Sequence, residues 1–178
     1  MTRFALGVLG ADRPGIVAGV TKVLFEQGCT LADSSMTILT DHFAMMLVID
    51  GPSELSVESL EGALVATARK LDLVVTVRAV PAPVDTHTAG APYILSVYGA
   101  DQPGIVYRFA ALLAAEEVNI TDLNTRVIGD PKDPVYAMLL EVTVPGSVDR
   151  DHLESELGAL AEDLCVEANL HPADIDIL

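Results

Sequence analysis

Gly10-Ala11-Asp12-Arg13-Pro14-Gly15-Ile16-Val17 returns 89 residues later as Gly99-Ala100-Asp101-Gln102-Pro103-Gly104-Ile105-Val106, with seven of the eight residues identical. Self-similarity at a fixed offset points to a duplicated structural unit, and the flanks of the two copies agree with that reading. An apolar, strand-like run precedes each copy, Phe4 to Leu9 and Tyr93 to Tyr98. An amphipathic stretch follows each. Ile16, Val20, Val23 and Leu24 in the first copy and Ile105, Phe109, Leu112 and Leu113 in the second share the i, i+4, i+7, i+8 spacing of one helix face.

The correspondence continues downstream. Thr30-Leu31-Ala32-Asp33 matches Asn119-Ile120-Thr121-Asp122 at the start of a second strand, and Ala44-Met45-Met46-Leu47 matches Ala137-Met138-Leu139-Leu140 in a third. The turn between these strands is longer in the second copy, Gly129 to Pro134, and dense in turn formers. Second helices are predicted from the stripes Val57, Leu60, Leu64, Ala68, Leu71 and Leu153, Leu157, Leu160, Leu164. Short apolar runs, Leu73 to Val80 and Val166 to Leu170, close the halves. The order is β-α-β-β-α-β twice. This predicts an α+β chain of two ferredoxin-like units, each an antiparallel sheet with both helices on one face. The expected units are 1–80 and 93–178, joined by a proline-rich connection, 81–92, that reads as a semi-stiff linker.

Ten Lys and Arg stand against 26 Asp and Glu, a formal net charge of −16. From Tyr93 onward the basic residues are Arg108, Arg126, Lys132 and Arg150. Nucleic-acid affinity rests on cations that displace phosphate counterions, so direct DNA binding is disfavoured; an acidic face suits a basic partner protein. No stretch approaches the ~20 apolar residues of a membrane span. Met1-Thr2-Arg3-Phe4 runs straight into a strand-like segment without the apolar core of a signal peptide, so the expected location is the cytoplasm. Cys29 and Cys165 are too few for a disulfide framework or zinc site, and their apolar neighbours predict small buried side chains.

The repeated loop has a mechanical and a chemical reading. Mechanically, Gly10 would allow an unusual turn at the strand end, Asp12 would cap the helix and Pro14 would open its first turn. Chemically, a helix N-terminus offers N–H groups to a carboxylate, and the adjacent Asp can accept from an ammonium group. Together these describe a site for a free α-amino acid. If the second strand starts beside the first loop, Thr30 lies near Asp12 and Asn119 near Asp101. Asn119 both donates and accepts, which makes it the stronger ligand group.

Strand, Gly-Ala-Asp-x-Pro-Gly-Ile-Val, helix, and a strand opening on Asn119-Ile120 resemble the ACT domain, a regulatory module that binds amino acids. The first copy, with Asp33-Ser34-Ser35-Met36 and Phe43-Ala44-Met45-Met46-Leu47, resembles the glycine cleavage system transcriptional repressor family and its tandem-ACT relatives. The resemblance implies ligands at an interface between modules, held by Asp12 and Thr30 in one copy and Asp101 and Asn119 in the other. Gly10, Pro14, Gly15, Gly99, Pro103 and Gly104 would shape the loops. Thr30 departs from the Asn of that pattern, which puts the first site in question. The resemblance further implies a regulatory protein partner, with glycine or serine as the first ligands to try.

Other signals stay below their structural explanations. His42, His87, His152 and His171 show no metal spacing, Ser34-Ser35 lacks a nucleophile context, and Asp174-Ile175-Asp176 has no following domain to build a site. The acids from Asp149 to Glu156 read as a helix first turn. Phe43 to Ile49 is apolar without alternation, which predicts either a central strand covered by a partner sheet or exposed apolar surface. No catalytic residue, metal or cofactor is expected. The expectation is a non-catalytic amino-acid-binding regulator, acting as a homodimer. The alternatives are a regulatory subunit of an amino-acid or one-carbon enzyme, since the pair of modules resembles those that precede the catalytic domain of phosphoserine phosphatases and the first-copy loop resembles that of formyltetrahydrofolate deformylases, and a ligand-free dimerisation module.

Overall fold

A computed structural model describes residues 1–81, 90–130 and 133–173. The first unit runs β1 (Thr2–Ala11), α1 (Ile16–Glu26), β2 (Thr30–Leu39), β3 (His42–Gly51), α2 (Val57–Leu71) and β4 (Leu73–Val80). The second repeats this as β5 (Gly90–Ala100), α3 (Ile105–Ala115), β6 (Asn119–Asp130), β7 (Asp133–Pro145), α4 (Arg150–Asp163) and β8 (Val166–Pro172). Strand orders are β2-β3-β1-β4 and β6-β7-β5-β8, with antiparallel neighbours throughout. The chain divides into two compact units within the predicted connection. That connection is shorter than expected: β5 begins at Gly90, paired with Pro145 of β7, so 90–92 are strand, and 82–89 lie outside the described residues.

Period decides what is buried. In β1, Phe4, Leu6 and Val8 turn toward the helices, as do Phe43, Met45, Leu47 and Ile49 of β3. Ile16, Val20, Val23 and Leu24 of α1 and Leu60 and Leu64 of α2 close this core. The second core substitutes Leu95, Val97, Ile105, Phe109, Leu113, Met138, Leu140, Leu153 and Leu157. Each fully buried aliphatic or aromatic side chain contributes about 1.5–3 kcal/mol, so each unit has a sufficient core of its own. The acids before α4 behave as helix-start residues: Asp149 accepts from the N–H groups of Asp151 and His152. Cys29 is half-buried, but Cys165 is exposed at φ 51, in the turn where the chain leaves α4. There its position in the turn, not the apolar character of its neighbours, sets its exposure.

Of the two readings of the Phe43–Ile49 run, the structure shows a central strand with exposed apolar surface. β3 is an inner strand, and its alternate residues Ala44, Met46 and Val48 point to the helix-free face, where Met46 is 59% exposed. No helix among the described residues is long and apolar enough to cross a membrane.

On that same open face, Arg3 Nε and Nη2 donate to the two carboxylate oxygens of Asp50 at 2.8 and 2.7 Å. The forked guanidinium holds the Asp50 carboxyl below its ordinary range. Asp50→Asn is expected to lower the unfolding temperature at neutral pH. A carboxyl whose folded pKa is depressed stabilises fully above its unfolded value of about 3.9, and that contribution fades as pH falls through the folded value. The gap between wild type and variant in thermal unfolding should therefore close in acid; a gap independent of pH would contradict the assignment.

Candidate functional site

Both repeated loops are built alike, and not as capping rules suggest. The N-cap of α1 is Gly15 at φ 96 and that of α3 is Gly104 at φ 97, left-handed values that suit glycine. Their carbonyls accept the first helical bonds, from Gly19 and Arg108. Asp12 and Asp101 therefore do not cap the helices, and Pro14 and Pro103 lie one residue before the cap, outside the first turn. With glycine at the cap, neither helix has a side-chain acceptor there, and first-turn N–H groups remain for another partner.

Gly10 and Gly99 also work differently from the expectation. Both lie inside paired strand, with no positive φ. What they provide is room. A Cβ on Gly10 would sit 2.7 Å from Leu73 Cδ2 and 2.9 Å from the Asp72 carbonyl oxygen. One on Gly99 would sit 2.6 Å from Val166 Cγ1. In both units the last strand enters the sheet hard against the backbone of the first.

The loops are anchored differently. In the first unit the Asp12 N–H donates to the Asp41 carbonyl at 2.9 Å, tying the loop to the β2–β3 turn, where Thr40 and Asp41 both have positive φ. In the second, the Gln102 side-chain amide donates to the Leu164 carbonyl at the end of α4. Asp12 and Asp101 themselves are exposed.

The expected neighbours are not neighbours. Ala11 pairs with His42 of β3, whereas Thr30 pairs with Asp50, eight residues further along that strand. At about 3.3 Å per residue this is roughly 26 Å. Asn119 is likewise separated from the Asp101 end, pairing with Thr143 while Ala100 pairs with Val135. The reason is the crossover: each helix carries the chain back to the starting end of the first strand, so β2 runs parallel to β1 and begins level with Arg3, at the end away from the loop. Thr30 and Asn119 are exposed at the starts of edge strands. Within one unit neither pair forms a site.

Sequence reading missed two hydroxyls beside the second loop. Tyr136 pairs with Gly99 in β5 and Val127 in β6, and Thr125 pairs with Met138, which sets Thr125 diagonally beside Tyr136 on the same face. The Tyr136 side chain is 9% exposed. Burial pushes its phenol above the usual range, the Thr125 hydroxyl pulls it back, and the nearby Asp101 carboxylate raises it further. At the equivalent positions the first unit has Phe43 and Met36. The signal was present in the matched runs, where Tyr136-Ala137-Met138 stands against Phe43-Ala44-Met45. Among the described residues, no three His, Cys, Asp or Glu side chains gather to hold a metal.

A model of the ACT domain matches residues 3–78 and again 92–171. The chain belongs to the ACT domain family. It is 27% identical over 165 residues to the glycine cleavage system transcriptional repressor of Escherichia coli, an alignment that takes in 92% of this chain and 86% of that protein. A UPF0237 protein of Methanopyrus kandleri is 42% identical over 79 residues, covering 44% of this chain and 88% of its own length. In fold, the chain is similar to the crystal structure of a protein of unknown function from Galdieria sulphuraria, with TM-score 0.81 and 24% identity over 97% of this chain and 99% of that one. The duplicated loop thus belongs to two ACT modules. They share a backbone and differ in the polarity of the residues beside it.

Two substitutions separate the loop's mechanical parts. Gly99→Ala forces overlap with Val166 and is expected to cost about 1–3 kcal/mol, and Gly104→Ala about 1–2 kcal/mol for the left-handed backbone. Gly158→Ala on α4 meets open space and should instead stabilise by about 0.5–1 kcal/mol. Denaturant unfolding of the three variants checks the order.

Proposed function

We propose that the protein is a non-catalytic regulator that binds a free α-amino acid at its second ACT module and transmits the bound state to a partner protein. The observation that carries the choice of module is the polar setting of Asp101. There Tyr136 and Thr125 replace the Phe43 and Met36 that flank the corresponding position near Asp12. A zwitterion needs acceptors for its ammonium group and donors for its carboxylate. Asp101 and the uncapped first turn of α3 supply both. Asp12 and Thr30 form the weaker candidate, with apolar neighbours and no amide side chain.

Asn119 enters this site from a second copy of the chain. It opens β6, an exposed edge strand, and antiparallel pairing of β6 with its counterpart in a homodimer would carry the start of one strand to the far end of the other. The ligand then bridges two chains, and it shifts their packing through its different affinity for the two arrangements. Glycine and serine are the first ligands to test. The net charge of −16 favours a basic protein partner over nucleic acid, and the reading calls for no metal or cofactor. The setting of the reading is cytoplasmic regulation of amino-acid metabolism.

Thermal unfolding against the twenty amino acids tests it. A ligand at a hundred times its Kd stabilises by about 2.7 kcal/mol, an expected rise of roughly 5–10 °C for a chain of this size. The shift should disappear in Asp101→Ala and Asn119→Ala and survive in Asp12→Ala. No shift with any amino acid at millimolar concentration would leave the exposed edges as a ligand-free dimerisation device.

A further inference from the structure

The helix-free faces of the two sheets, built on one backbone plan, differ in chemistry. Hydrogen-bond registers line up their residues in rows across four strands. In the first sheet one row is Asp33, Val48, Ala5, Arg78; the next is Ser35, Met46, Gly7, Thr76; the third is Thr37, Ala44, Leu9, Val74. The centre is apolar and open: Met46 is 59% exposed, Leu9 52% and Val74 64%. It is also uneven. Thr76 leans over Gly7, where an added Cβ would lie 2.9 Å from its Oγ1, and a groove of about 450 Å³ runs past them beside the projecting Met46.

We infer that this face is a homotypic docking surface, on which the same face of a second copy packs about a two-fold axis running parallel to the strands between β1 and β3. That rotation sets each β1 residue over the β3 residue of its own row, and each β2 residue over its β4 counterpart. Met46 then projects into the groove beside Gly7 of the copy, Leu9 covers Ala44, and Val48 covers Ala5, each contact occurring twice. Asp33 at one edge faces Arg78 at the other, again twice. Large meets small and acid meets base under a single operation. Aligned sheets pack about 10 Å apart with a rotation near 30°, which offsets the outer strands by roughly 4 Å, within the span of an arginine side chain.

Charge argues for a second copy of this chain. Two molecules each carrying a net charge of −16 repel over most of their surfaces, so self-association meets least opposition where the surface is locally balanced. On this face Arg3 and Arg78 offset Asp33 and Asp50, and Arg3 is already forked onto Asp50. The second sheet fails the same operation. Its corresponding row is Asp122, Glu141, Ile94, His171, and the rotation would seat the Glu141 carboxylate on Ile94 with no counter-charge. This contact is separate from the β6 edge and does not depend on ligand binding.

A charge swap tests it in the full-length protein by sedimentation over a concentration series. Asp33→Arg and Arg78→Asp each place like charges across the interface and are expected to weaken a self-association step by about tenfold or more. The double variant restores opposite charges and should return that step to near wild type. Met46→Glu should abolish it in a protein that still unfolds cooperatively. Single variants that leave every association step unchanged, a double variant no better than either single, or a wild type that never self-associates would overturn the inference.

Discussion

In each module, two helices pack against alternate residues on one face of the sheet, chiefly those of its two inner strands, and the rest of the molecule depends on that one-sided arrangement. Phe4, Leu6, Val8, Phe43, Leu47 and Ile49 are 2% exposed or less because α1 and α2 lie over them. A pair of helices covers only one face of a sheet. The chain must then decide, strand residue by strand residue, what the other face presents. In the first module that is mainly apolar surface rimmed by balanced charges; in the second it is Glu141, Glu167, Asn169 and their neighbours. Duplication kept the core and let the open faces diverge.

The same architecture keeps the two ends of each module apart. A helix that crosses back over the sheet places the first loop at one end and the start of the second strand at the other. No side-chain choice within a module can bring Asp101 to Asn119. A site that uses both must join two modules, so ligand binding and association become one equilibrium.

Much of the fold was legible in the residues because burial leaves a periodic trace. The helix positions Ile16, Val20, Val23 and Leu24 were all found buried, and the bounds of β4, Leu73 to Val80, coincide with the apolar run. Local geometry was less legible. The roles expected of Gly10, Asp12 and Pro14 assumed a side-chain cap, whereas Gly15 and Gly104 make the cap through backbone angles that residue identity alone does not announce. Tyr136 was overlooked because a tyrosine in an apolar run reads as core. Its difference from Phe43 acquires meaning beside Asp101, which pairing across the sheet reveals.

By itself, the sequence determined the duplication, the order of elements, the helix-facing core and the acidic balance, because each is written in spacing or composition. Tertiary structure decided what lies next to what. Registers between strands far apart in the chain moved Thr30 and Asn119 away from the loops, made Gly10 and Gly99 points of close approach, and aligned Asp33 with Arg78 across four strands. The physical reason is that sequence periodicity records which face a residue takes. Its neighbours on that face are chosen by hydrogen-bond pairing between strands, a property of no single segment.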